Sequence, residues 1–194
     1  MSETTEQCSP RSTAFTLLRM TAEGEAAHHA AGGEGPPPAD MKMYGVLTST
    51  LESWRRSGRL RPQAMVLVEW LATEFAGYRI QILGQDQDQD QDRFGSWLLA
   101  FGDEVSLAQR HPHPAGPTCV ELLSVVASAP PGERPQDRVA RLAVPFLAYL
   151  RQGSELEDAR EIALSFALWA GQALASLMQY DIGRITSYTQ ARAS

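Results

Sequence analysis

Cysteine is nearly missing from this sequence: Cys8 and Cys119 are the only two in 194 residues, and they stand far apart. A secreted disulfide scaffold carries more, so a reducing compartment, cytosol or nucleus, is expected. Lysine is scarcer still. Lys42 stands alone, and the other sixteen of the 17 bases are arginine. Arginine forks bind carboxylates and phosphates bidentately, so the bias suits interfaces, although GC-rich coding explains it equally well. No apolar run approaches the roughly 20 residues needed to span a bilayer. The opening Met-Ser-Glu-Thr-Thr-Glu lacks the basic start and apolar run of a secretory leader. Ser2 is not the glycine that myristoylation requires.

Catalytic frames are missing too. There is no Gly-x-Ser-x-Gly elbow and no Walker loop. His28, His29, His111 and His113 all fall in stretches without periodicity, where a general base would not be held rigidly. His111, His113 and Cys119 lack a fourth ligand for tetrahedral zinc. The Gln-Asp alternation of residues 85–92 lacks the glycine and closing glutamate of an EF-hand. The expectation is therefore no catalytic residue, no metal, no cofactor and no small-molecule substrate.

What is present is helical patterning. Hydrophobic residues make up 43% of the chain, enough to build a core. Met43, Val46, Leu47, Leu51 and Trp54 recur at 3-4 spacing after Asp40, and Ser57-Gly58 ends that helix. Pro62 opens a second, carrying Met65, Val66, Val68, Leu71, Ala72 and Phe75, with Gly77 as its expected stop. Tyr78 to Leu83 reads as a helix extension or a loop. A third helix spans about Arg93 to Gln109 and a fourth runs from Pro117 to the Pro130-Pro131-Gly132 break. Beyond it, Pro135 opens a helix that Pro145 should kink. Ser154 and Glu157 form a capping box for the next, which continues to about Tyr188. Within it Ala163, Ala167 and Gly171 make a small-residue stripe where another helix can approach closely.

The fold class predicted is all-α, in two consecutive helical bundles. Residues 1–39 are expected to be a mobile N-terminal segment, with a short helix over Thr13 to Met20 at most. Residues 40–130 form the first bundle, with an exposed acidic loop at 85–92, and residues 131–194 form the second module.

Formal net charge is -6, but it is polarised. Met41 to Arg79 holds six bases against three acids, net +3, and Ile80 to Gln109 holds six acids against one base, net -5. Arg55, Arg56, Arg59 and Arg61 fall within seven residues around one turn. Such a cluster can meet lipid phosphates or nucleic-acid phosphates. It is equally consistent with a solvated helix end, where cations favour the dipole.

Three segments resemble a known family. Ala159-Arg160-Glu161-Ile162-Ala163-Leu164-Ser165-Phe166, followed by Gly171-Gln172-Ala173-Leu174-Ala175-Ser176-Leu177-Met178, is similar to the middle of the orthomyxovirus matrix protein. Pro131-Gly132-Glu133-Arg134 resembles that family's Pro-Ser-Glu-Arg turn between helical subdomains. Val120 to Ala129 resembles the apolar helix that closes its first bundle. The likeness covers roughly Pro117 to Gln190 and fits a divergent, compact member of the isavirus type. The chain departs from the family by an inserted turn before Gly171, and by having only Arg151 charged between Leu147 and Arg151.

The resemblance implies a viral matrix protein that self-assembles into a homo-oligomeric layer under the envelope and supports assembly and budding. It implies partners in anionic membrane lipids and in the viral ribonucleoprotein or nucleoprotein, with RNA binding possible. It implies a place in the virion, the host cytoplasm and nucleus, and the inner face of the plasma membrane. Arg134, Arg138 and Arg141 match the family's Arg-rich helix and would join the four-arginine turn as membrane- or phosphate-binding residues. The alternative is a soluble helical adaptor or regulator that binds another protein through a helix groove. A helical DNA-binding protein ranks last, because the basic cluster lies at a turn and the chain is acidic.

Overall fold

The computed structural model describes residues 9–34, 41–84, 93–107, 115–130 and 132–193. Among these, eight α-helices account for 85% of residues and no strand occurs. They are α1 (Pro10–Ala30), α2 (Met41–Arg56), α3 (Leu60–Gly84), α4 (Arg93–Leu107), α5 (Gly116–Ala127), α6 (Pro135–Tyr149), α7 (Glu155–Leu177) and α8 (Ile182–Ala193). The all-α class predicted from apolar spacing is therefore observed. No helix among the described residues is long and apolar enough to cross a membrane.

The core centres on α7, which lies against α3 on one side and α1 on another, with α8 closing over α1. Phe15, Leu47, Leu71, Phe75, Leu122, Phe146 and Phe166 are each at most 1% exposed and belong to one continuous cluster. That cluster draws on helices from before and after residue 130. The boundary expected there is a turn in the chain, and the core runs across it: α7 buries its apolar residues against α1 and α3, not within a separate second module.

The N-terminal expectation needs correction as well. Pro10–Ala30 is a 21-residue helix, and Ala14, Phe15, Leu17, Leu18, Ala22 and Ala26 are buried. Ser9 caps it, its side chain accepting from the Ser12 N–H at 3.1 Å, and Pro10 opens the first turn. His28 and His29 lie in its last turn, and the His29 ring stacks on Tyr180 with centroids 3.9 Å apart. Arg11 donates to the Arg192 carbonyl at 2.7 Å, and Thr186 donates to Glu23 at 2.7 Å. These contacts tie α1 to α8. Residues 1–8 and 35–40, including the expected Asp40 cap, lie outside the described residues.

Several local expectations also change. Helix α3 runs through Gly77 to Gly84, because Tyr78 one residue on is buried and a continuous helix keeps it in register with Phe75 and Leu71. The capping box at Ser154 does not form: the Ser154 side chain makes no cap hydrogen bond. Asp158, whose backbone N–H donates to the Ser154 carbonyl at 2.9 Å, instead turns its carboxylate to Arg151. It accepts the Arg151 backbone N–H at 2.7 Å and the guanidinium at 3.1 Å. Burial opposes ionisation of Asp158, but the Arg151 hydrogen bonds and charge outweigh it and hold the carboxyl below its ordinary range. Helix α6 stays continuous through Pro145, which is buried beside Leu142 and Phe146. The long last helix expected to Tyr188 divides at residues 178–181. There Gln179 and Tyr180 adopt positive φ (56° and 59°), and Asp181 restarts the helix by accepting the Arg184 N–H at 3.0 Å.

Candidate functional site

The turn between α2 and α3 closes locally. Gly58 takes φ 69°, its N–H donates to the Arg55 carbonyl at 3.0 Å, and the Arg59 N–H reaches the Trp54 carbonyl at 2.8 Å. Trp54 is thereby buried, while the arginines point outward. Arg55 pairs with Glu52 at 2.7 Å and stays 59% exposed. Arg56 donates to the Glu52 carbonyl at 3.4 Å and Arg59 to the Ser57 hydroxyl at 3.4 Å. Arg61 is paired with Glu155 at the start of α7, and that hydrogen bond raises its pKa. Three of the four turn arginines thus share one exposed surface, and the fourth staples α3 to α7.

Arg134, Arg138 and Arg141 go elsewhere. Arg134 pairs with Asp137 at 2.8 Å on the exposed start of α6. Arg138 reaches across to Glu69 of α3 at 2.9 Å and is only 19% exposed. Arg141 binds Glu133 through two hydrogen bonds, 2.8 and 3.0 Å long, and Glu133 also lies 3.5 Å from Arg138. The Arg141 hydrogen bond holds the Glu133 carboxyl low. Burial pushes Glu69 up although Arg138 opposes it. This cluster clamps α6, Ser128 and Glu133 together and onto α3, and Arg138 is used up inside the fold.

The small-residue stripe sits at a close seam between α7 and α1. Ala163, Ala167 and Gly171 are all buried. The Thr21 hydroxyl of α1 donates to the Ala167 carbonyl at 3.1 Å. A Cβ added at Gly171 would lie 1.9 Å from the Thr21 oxygen and 3.1 Å from the Ala22 backbone nitrogen. Cys119 is buried with its thiol 4.0 Å from the Ile162 carbonyl, and burial pushes its pKa up. His111, His113 and the acidic run 85–92 lie outside the described residues. Among the described residues no group of three or more His, Cys, Asp or Glu could hold a metal ion.

The other seam is open. Helix α4 lies at the edge of the fold against α5 and the end of α3. Phe101 and Trp97 turn inward, stacked 5.0 Å apart, and Phe101 meets Trp169 of α7 at 5.0 Å. The outer side of α4 and the neighbouring face of α5 enclose a groove of about 640 Å³. Gly95, Leu98, Leu99 and Gly102 line it from α4, and Pro117 and Val120 from α5. Leu99 is 75% exposed, an unusual position for leucine. The apolar spacing of Phe94, Trp97, Leu98, Phe101 and Val105 marks the inner face, with Leu98 at its border on the groove. The signal for the groove was Leu99, which lies off that face, together with the two helical glycines that leave the surface between them low.

Comparison with protein-family models, curated proteins and solved structures finds no match for this chain, so the matrix-protein resemblance rests on the three sequence segments alone.

Proposed function

We propose that this protein is a non-catalytic helical adaptor that receives a helix of a protein partner in the groove between α4 and α5. The groove carries this reading: it is mainly apolar, lies between two helices and exposes Leu99. A third helix laid along two others buries such a surface through the same side-chain interdigitation that packs helices within a fold. Exposed apolar surface of this kind marks interaction sites. Anisotropy titration of the full chain with labelled amphipathic helical peptides tests it. Binding that disappears in Leu99→Glu, with circular dichroism unchanged, supports the groove; binding indifferent to that change excludes it.

A second reading keeps the matrix function: a self-assembling layer under an envelope that binds anionic lipid and ribonucleoprotein, with helices before and after Pro131 playing the parts of the two matrix bundles. The observation favouring it is the exposed turn shared by Arg55, Arg56 and Arg59. An array of such turns would bind a membrane that a monomer of net charge -6 binds poorly. Phosphatidylserine liposome co-sedimentation, weakened by salt and abolished by changing Arg55, Arg56, Arg59 and Arg61 to Ser, would support this reading. Wild-type protein that neither co-sediments nor oligomerises would end it.

A further inference from the structure

We infer that the α4–α5 groove selects a basic amphipathic helix, one whose apolar ridge is flanked by arginine or lysine; this rests on the docking reading above. The argument is the charge around the groove. Asp103 of α4 lines it on one side and is exposed. On the other side Glu121 of α5 is exposed and shares a helix face with Pro117 and Ser124, both of which line the groove. One carboxylate therefore stands in the wall of an apolar trough, and helical spacing puts a second beside the opposite wall.

No lysine or arginine lines the groove among the described residues. Two arginines before and at the start of α4, Arg79 and Arg93, are engaged elsewhere. Arg79 lies over the rings of Phe75 and Trp97, 5.6 and 5.1 Å from their centroids. Arg93 donates to the Leu83 carbonyl at 3.4 Å. Helix α5 contains no base at all. An acidic helix entering here would bring carboxylate against carboxylate on both sides, and like-charge juxtaposition suppresses wrong partners. A basic one would gain an opposite charge on each side while its ridge meets Leu98, Leu99 and Val120. The floor sets the ridge size. Gly95 and Gly102 leave a shallow channel, and a Cβ added at Gly102 would already stand 3.4 Å from Val120. Alanine and leucine therefore fit the ridge better than aromatic rings.

The test uses two labelled helical peptides of about 20 residues. They share an Ala/Leu ridge and differ only in carrying Arg or Glu at the flanking positions. Anisotropy titrations on the full chain at low salt should give about tenfold tighter binding for the Arg peptide, a gap that narrows at high salt. Asp103→Asn with Glu121→Gln should erase the preference, and Asp103→Lys with Glu121→Lys should reverse it. Both pairs change exposed side chains, and circular dichroism checks that the helices persist. Equal binding of the two peptides, or a preference that survives charge reversal, overturns the basic-helix assignment while leaving a docking groove. Binding of neither peptide overturns the docking reading itself. A concentration-dependent dimer of the protein alone that Leu99→Glu abolishes would make a second copy the occupant and overturn the assignment to a separate basic helix.

Discussion

Two seams between helices in this protein contain glycines, and Gly171 in one and Gly102 in the other do opposite things. Gly171 of α7 lets α1 approach until a methyl group would strike Thr21, and that seam is buried along Ala163, Ala167 and Gly171. Gly102 of α4 meets α5 at ordinary contact distance, and its seam opens into a groove beside an exposed leucine. Small residues therefore close the first interface along its length, whereas in the second Gly116 meets Val105 closely, 2.6 Å from an added Cβ, and the part beside Gly102 stays unfilled. The difference separates a seam that stabilises the fold from one available to a partner.

The sharpest way to break that contrast is Gly171→Ala. In an open helix interior, Gly→Ala stabilises by up to about 1 kcal/mol. Here the added methyl has no room, and overpacking is expected to cost about 1–3 kcal/mol in denaturant unfolding, with Gly171→Leu worse still. Gly77→Ala and Gly45→Ala, which have nothing within 4 Å of the added carbon, serve as controls and should stabilise slightly. A stable Gly171→Ala variant would mean that the seam is no tighter than the groove.

Asp158 comes next, because its carboxylate locks the entry to α7. Asp158→Asn should cost about 1–2 kcal/mol at neutral pH, less than a fully buried charged bond because Arg151 is itself exposed. The folded carboxyl titrates below the unfolded one. Its stabilisation is therefore complete above about pH 4 and is lost as pH falls through the depressed folded value. Glu133, held low by Arg141, acts in the same direction. Stability measured against pH should fall less steeply below about pH 4 in Asp158→Asn than in wild type.

At the open seam the expected stability effects are small. Leu99→Ala and Gly102→Ala should each shift unfolding by about 0.5 kcal/mol or less, because one side chain is mostly in water and the other adds a methyl at normal contact distance. The same variants should weaken helical-peptide binding measurably. Smallest of all is Arg56→Ser with Arg59→Ser, which should leave thermal stability unchanged within about 0.5 kcal/mol. If that pair instead removes liposome binding, the exposed turn, and not the groove, is the working surface.

Much of the helical framework could be read from the chain. The apolar residues of α2 and α3 recur every three or four positions, and proline starts and glycine stops mark α5 and α6. Helix α1 is hard to read in the sequence because much of its buried face is alanine and threonine, from Thr13 to Ala26, and small residues give little periodic contrast. Its Ser9-Pro10 start was the available signal. The small-residue stripe on α7 was visible as spacing, but its partner was not, since Thr21 lies 146 residues from Ala167. The arginines show the same limit. Their clustering is a sequence property, whereas the carboxylates that occupy Arg138 and Arg61 come from 69 and 94 residues away. Leu99 and the two glycines of α4 mark one wall of the groove in sequence, but the groove itself could not be read, because its two walls become neighbours only once α4 and α5 are placed.

Amide hydrogen exchange, with and without the arginine-flanked peptide, tests the central claim most directly. The account predicts that in the free protein α4 exchanges faster than α7, whose small-residue seam with α1 should keep its amides protected. It predicts that the peptide slows exchange in α4 and α5 and leaves the α2–α3 turn unchanged. Protection that appears at the α2–α3 turn instead, or nowhere between residues 95 and 124, would contradict the assignment of the α4–α5 seam as the docking site.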